Sequence, residues 1–289
     1  MFDNAYEALA DSADDARWAF GTGFDDALSG VDTAFPDEVD RDELAAYCLA
    51  LGDDALVHAQ RLTEWVTRAP DLEEEVALAN IALDLLGQAR LLLARAGQAE
   101  GTGRDEDALA YFREDVQFRN VRLAEAPLGD FARTVLTMLV LSTWRLAVFE
   151  RLRDSTDPVL SAVAAKGVKE LTYHRDYAAQ WVVRLGDGTD HSHERVTAAL
   201  HDVWPLVDEL FTPNEVERGP VGVDPAPLRA EFDAVIDRVF RAAGVEVPDV
   251  APRSGVAGRT GRHGVHSEHL GFLLAEMQSL ARAHPEATW

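Results

Sequence analysis

The chain has 289 residues, 47% of them hydrophobic, which is enough for a sizeable core and excludes wholesale disorder. It carries 51 Asp and Glu against 27 Lys and Arg, a net charge of −24 that repels phosphate backbones and speaks against nucleic-acid binding. A single cysteine, Cys48, forbids an intrachain disulfide and a cysteine-rich zinc site.

Residues 1–43 hold 13 acidic and 2 basic residues with no sustained apolar period, and read as a mobile acidic extension with a short helix around Tyr6 to Phe20. Residues 44–289 read as one helical domain. Asp42 caps a helical pattern running to Arg68, with Gly52 as a weak point and Ala69-Pro70 as the break. Asp71 opens a second helix with Glu73, Glu74 and Glu75 in its first turn, where the macrodipole favours anions, and it continues to Gly97. Gly101 to Gly103 is a loop. A third helix runs from about Asp130 to Arg153. Asp157-Pro158 is an N-cap followed by proline at N1, and opens a fourth that ends at Leu185 before Gly186-Asp187-Gly188. Shorter helices follow at about Ser192–Leu210, Pro225–Ala243 and Ser267–His284. No strand pattern of period two stands out. Two hairpins of long helices joined by a longer connection at 98–129 predict an all-α, ferritin-like four-helix bundle with extra C-terminal helices.

Such bundles hold two irons with a Glu from each of two helices and Glu-x-x-His from each of the others. None of the nine histidines stands three residues after a Glu. The corresponding faces carry Asn80, Asp84 and Gln88 on the second helix, Arg145 on the third, and Lys166, Lys169, Glu170, Tyr173 and His174 on the fourth. This reads as a vestigial metal site whose ligands have been replaced by an ionic cluster. Lys166 or Lys169, the chain's two lysines, is expected to fill the old cavity with Asp84 or Glu170, since a compact ammonium differs from a guanidinium. No catalytic residue and no metal ligand is assigned.

Three segments, LGDDALVHAQRLTEWVTRAPDLEEEVALANIALDLLGQARLLL (51–93), AKGVKELTYHRDYAAQWVVRLGDGTD (165–190) and GVHSEHLGFLLAEMQSLAR (264–282), with the terminal Trp289, resemble the PaaC family. These are the C (structural) subunits of phenylacetyl-CoA ring 1,2-epoxidases, and the likeness runs in register over roughly residues 44–289. It implies a ferritin-like fold without a working metal site and a non-catalytic structural role. It implies a tight complex with a catalytic A subunit that carries di-iron, further subunits including an NADPH-fed reductase, and phenylacetyl-CoA as the complex's substrate in phenylacetate catabolism. No cofactor is expected in this chain. The alternatives are a metal-dependent oxygenase with atypical ligands, or an acyl-CoA-binding accessory module.

Residues 253–266, RSGVAGRTGRHGVH, form a basic, glycine-rich stretch. Arg253, Arg259 and Arg262, with His266 and His269 beyond, are candidates for a partner or CoA-phosphate contact, the bland reading being a surface loop. His266 and His269 equally suit holding the last helix on the bundle. The start has no basic and apolar leader, and the apolar stretch Thr134 to Val148 is interrupted by Arg145, so a cytoplasmic protein without membrane contact is expected. Asp (29) outnumbers Glu (22) and lysine is nearly absent. That composition suits a saline cytoplasm, where the screening length falls to roughly 3 Å at molar salt, so the acidity is read as a halophile's.

Overall fold

A computed structural model describes residues 28–253 and 255–287; the helix expected around Tyr6 to Phe20 and the terminal Trp289 lie outside them. The described residues form α-helices and short 3₁₀ turns, and the only β pairing among them is an isolated bridge between Val256 and Arg259. The long helices are α1 (Arg41–Thr63), α2 (Leu72–Glu100), α5 (Phe131–Leu152) and α6 (Pro158–Gly186), with α3 (Glu106–Tyr111) and α4 (Arg122–Glu125) in the middle connection. Then come α7 (Asp190–Val203), α8 (Arg229–Ala243) and α9 (Glu268–Ala283).

The helix starts follow local chemistry. The carboxylates of Asp71, Asp130 and Asp157 accept from the backbone N–H groups of Glu74, Arg133 and Leu160, each satisfying an orphan donor of the first turn. α2 ends where Gly101 turns left-handed at φ +67°. α7 tightens into a 3₁₀ segment, Trp204–Phe211, at Pro205.

α1 pairs with α2 and α5 with α6, and α2 faces α6, giving the ferritin-like bundle; α7 and α8 cover the second hairpin. Two glycines set the spacing. A Cβ on Gly52 would stand 2.9 Å from Leu93 Cδ2, and one on Gly167 would stand 2.6 Å from the Phe149 ring, so α1 meets α2 and α6 meets α5 closely at these points. Gly52 lies well inside α1, which continues unbroken through it.

The expected boundary at 43/44 does not hold for the described part of the first segment. α1 begins at Arg41, capped by Asp40. Leu28, Val31 and Phe35 pack against the core, and the Phe35 ring lies 3.9 Å below the guanidinium of buried Arg95. Arg95 pairs with buried Asp157 and donates to the Thr33 carbonyl at 2.8 Å. A buried guanidinium needs acceptors on every side, and residues 33–34 supply two of them. The acidity of this stretch hides its three apolar anchors.

Both α2 and α5 are long and apolar enough to cross a membrane by length and composition. α5 is the core helix, with 89% of its apolar stretch buried inside the protein, against 44% for α2.

Candidate functional site

At the centre of the bundle the four long helices converge on Arg145. From α5 its Nε donates to Gln88 Oε1 on α2 at 3.0 Å, and its Nη1 donates to the Leu51 carbonyl of α1 at 3.1 Å. Gln88 then donates from Nε2 to Glu170 Oε2 on α6 at 2.9 Å. One turn away, His174 Nε2 and Asp84 Oδ2 lie 3.0 Å apart across the α2–α6 seam. Gln88, Arg145 and His174 are buried, while Asp84 keeps 40% of its side chain exposed. Burial pushes the Arg145 guanidinium down to about 10; the charge of Asp54 acts against this and that of Arg262 with it. Its own pKa still leaves it protonated at neutral pH.

The sequence brought Asp84, Gln88, Arg145, Glu170 and His174 together correctly, but not the lysines. Lys166 and Lys169 are exposed, and Lys166 reaches Glu170 only from outside, at 3.6 Å. Arg145, not a lysine, occupies the space between the long helices. A guanidinium can satisfy acceptors on two other helices at once, which an ammonium at the bundle surface cannot. Asn80 and Tyr173 are exposed. A metal pair does not suit these residues. Asp84 is engaged with His174, Glu170 is shared by Gln88 and Lys166, and a fixed cation lies between the helices. Among the described residues no three His, Cys, Asp or Glu side chains form a group that could hold a metal ion.

Residues 260–269 are clamped to the bundle, while 256–259 stay exposed. Arg262 is buried and grips Asp54 of α1 with both terminal nitrogens, at 2.9 and 2.8 Å, while its Nε donates to Glu217 at 3.0 Å. Its Nη1 also donates to the Ala50 and Arg119 carbonyls. Burial alone would lower its pKa, but the charges of Asp54 and Glu217 outweigh it and raise it. Arg262 is therefore unavailable to a CoA phosphate.

His266 is similarly engaged: Nδ1 lies 2.7 Å from Glu125 Oε2 and Nε2 lies 3.0 Å from the Phe118 carbonyl. Acceptors at both ring nitrogens select the imidazolium. Burial opposes the charge, but the Glu125 hydrogen bond prevails and the pKa rises. Arg253 and Arg259 remain exposed, Arg259 donating to the His263 carbonyl at 3.1 Å. His269 is half-buried, and its carbonyl accepts from Arg61. The sequence could not pair Arg262 with Asp54, because 208 residues separate them.

Residues 30–289 match the family model described as phenylacetic acid catabolic protein. The chain belongs to the phenylacetic acid catabolic protein family. It is 44% identical over 253 residues to the C subunit of the 1,2-phenylacetyl-CoA epoxidase of Escherichia coli (strain K12), covering 86% of this chain and 99% of that protein. The family match begins at residue 30, close to where the described, packed structure begins.

In this family member one surface feature escaped the sequence reading. Although α2 carries a nearly continuous apolar run, Leu83 and Leu86 are 62% and 45% exposed, and Leu72 and Val76 near its start are exposed too. Tyr173, beside His174 on α6, is also exposed. The exposed faces of α2 and α6 thus carry large apolar side chains. A helix apolar all round reads as buried, and the signal was present in α2 without showing which part stays exposed.

Proposed function

We propose that this chain is the non-catalytic C subunit of a multicomponent phenylacetyl-CoA epoxidase, binding and stabilising a catalytic A subunit that holds the di-iron centre. The observation that carries the reading is the bundle interior. A helical fold of ferritin type keeps its four long helices but places Arg145, anchored by Gln88 and Leu51, in the space between them. The likeness to an epoxidase's C subunit over nearly that protein's whole length supports the reading of the complex and its substrate. The exposed apolar seam of α2 and α6 supports the choice of docking face, since exposed apolar patches of this kind mark interaction sites. A reductase and the other subunits complete the assembly, and phenylacetyl-CoA reaches the complex through the A subunit.

The test is capture of the A subunit by full-length chain carrying Leu83→Glu or Leu86→Glu. Both positions are exposed in the free chain, so helix content and unfolding midpoint should be unchanged within about 0.5 kcal/mol. A charge in the centre of an apolar interface should weaken capture at least tenfold. Undiminished capture by both variants would move the interface elsewhere, and no capture by the unaltered chain would remove the subunit reading.

A further inference from the structure

Beneath the α2–α6 seam lies a small cavity of about 20 Å³, bounded by the buried residues His58, Ile81, Leu85, Met138, Arg145 and His174. It is large enough for one water-sized ligand. Two of its polar walls are incomplete. His58 Nε2 and Arg145 Nη2 are buried without a hydrogen-bond partner, on side chains 6% and 4% exposed overall. Arg145 makes no ion pair among the described residues. Glu170 reaches it only through the Gln88 amide, and Asp54 is committed to Arg262. Ser142 Oγ donates to the Met138 carbonyl at 2.6 Å, His174 is engaged with Asp84, and the remaining walls are apolar.

We infer that this cavity is a binding site for one halide-sized monovalent anion, held between Arg145 Nη2 and His58 Nε2. A buried guanidinium without a contacting counter-charge is unfavourable, and water would satisfy its free N–H but not its charge. A neutral imidazole can carry its proton on Nε2, so both free nitrogens can donate to one acceptor. Burial above all, with smaller contributions from His174 and Arg145, pushes the His58 pKa down to about 3, so the imidazole that faces the anion is neutral. The anion would stand among the helices that in related bundles surround metal, with its charge sign reversed.

The full-length chain crystallised in sodium bromide tests this. The expected result is an anomalous bromide peak within hydrogen-bond distance of both nitrogens. In solution at constant sodium, the unfolding midpoint should rise with the logarithm of chloride or bromide relative to gluconate, which is too large to enter. That halide-specific rise should vanish in His58→Phe or Arg145→Met; should neither variant fold, the bromide peak decides alone. A water without anomalous signal at saturating bromide, or bromide only on the outer surface, would overturn the assignment. So would equal midpoints in chloride and gluconate.

Discussion

Replacing Arg262 by Leu removes the guanidinium that ties the 253–267 segment to α1. Asp54 would keep only its bond from the Val121 amide, and Glu217 only its local bond from the Asn214 amide. Both carboxylates are nearly inaccessible, at 4% and 7% side-chain exposure, so the change strands two buried negative charges rather than deleting a surface contact. Breaking a buried pair in this way costs about 3–5 kcal/mol. At about 2–4 °C per kcal/mol for a domain of this general size, the unfolding midpoint should fall by roughly 6–20 °C. Calorimetry on the full chain, with Arg259→Ala as the exposed control, reads the difference; the control should shift by no more than about 0.5 kcal/mol. If Arg262→Leu were as mild as Arg259→Ala, the clamp would be wrong. Unchanged stability with lost acyl-CoA binding would restore the segment as a ligand contact.

Other perturbations have defined directions. His266 binds its proton more tightly folded than unfolded, so its contribution is complete below its ordinary value of 6.5 and is lost as pH rises through its raised folded value; His266→Gln should flatten the stability decline above pH 6.5. His58 acts oppositely: folded it stays neutral to about pH 3, while the unfolded chain takes up a proton from 6.5 downward, so stability falls with acidification across that window, and less so in His58→Phe. Gly167→Ala drives a methyl to 2.6 Å from the Phe149 ring and should destabilise by about 1–3 kcal/mol in denaturant titration. With a net charge of −24, the chain should unfold at higher temperature as sodium rises from millimolar to molar, as screening relieves self-repulsion; a flat response would speak against the saline-habitat reading.

The sequence was most legible where the determinant is local. Asp71 and Asp157 cap the helices they were expected to open, because an Asx side chain acts on amides three residues away, whereas the first helix is capped by Asp40 and not by the expected Asp42. Helices α3 and α4 were missed because they are too short to show a period. The site was half legible. Asp84 and His174 meet because helical spacing placed them on facing sides of α2 and α6, whereas rarity drew attention to Lys166 and Lys169 although reach favours Arg145. Long-range pairings such as Asp53 with Arg113 and Asp54 with Arg262 leave no spacing signature, and they decide how the connection and the tail dock on α1. The exposed leucines of α2 lie in an apolar run that composition alone cannot divide into buried and exposed faces.

The measurement that bears most directly on the central claim is co-expression with the A subunit, followed by metal analysis and an epoxidation assay on the purified complex and on each chain alone. The account predicts that this chain is iron-free when alone, co-elutes with iron-loaded A subunit, and is required for phenylacetyl-CoA epoxidation by the reductase-fed complex. Stoichiometric iron and turnover in the lone chain would contradict it, making Asp84, Glu170 and His174 the ligands to test.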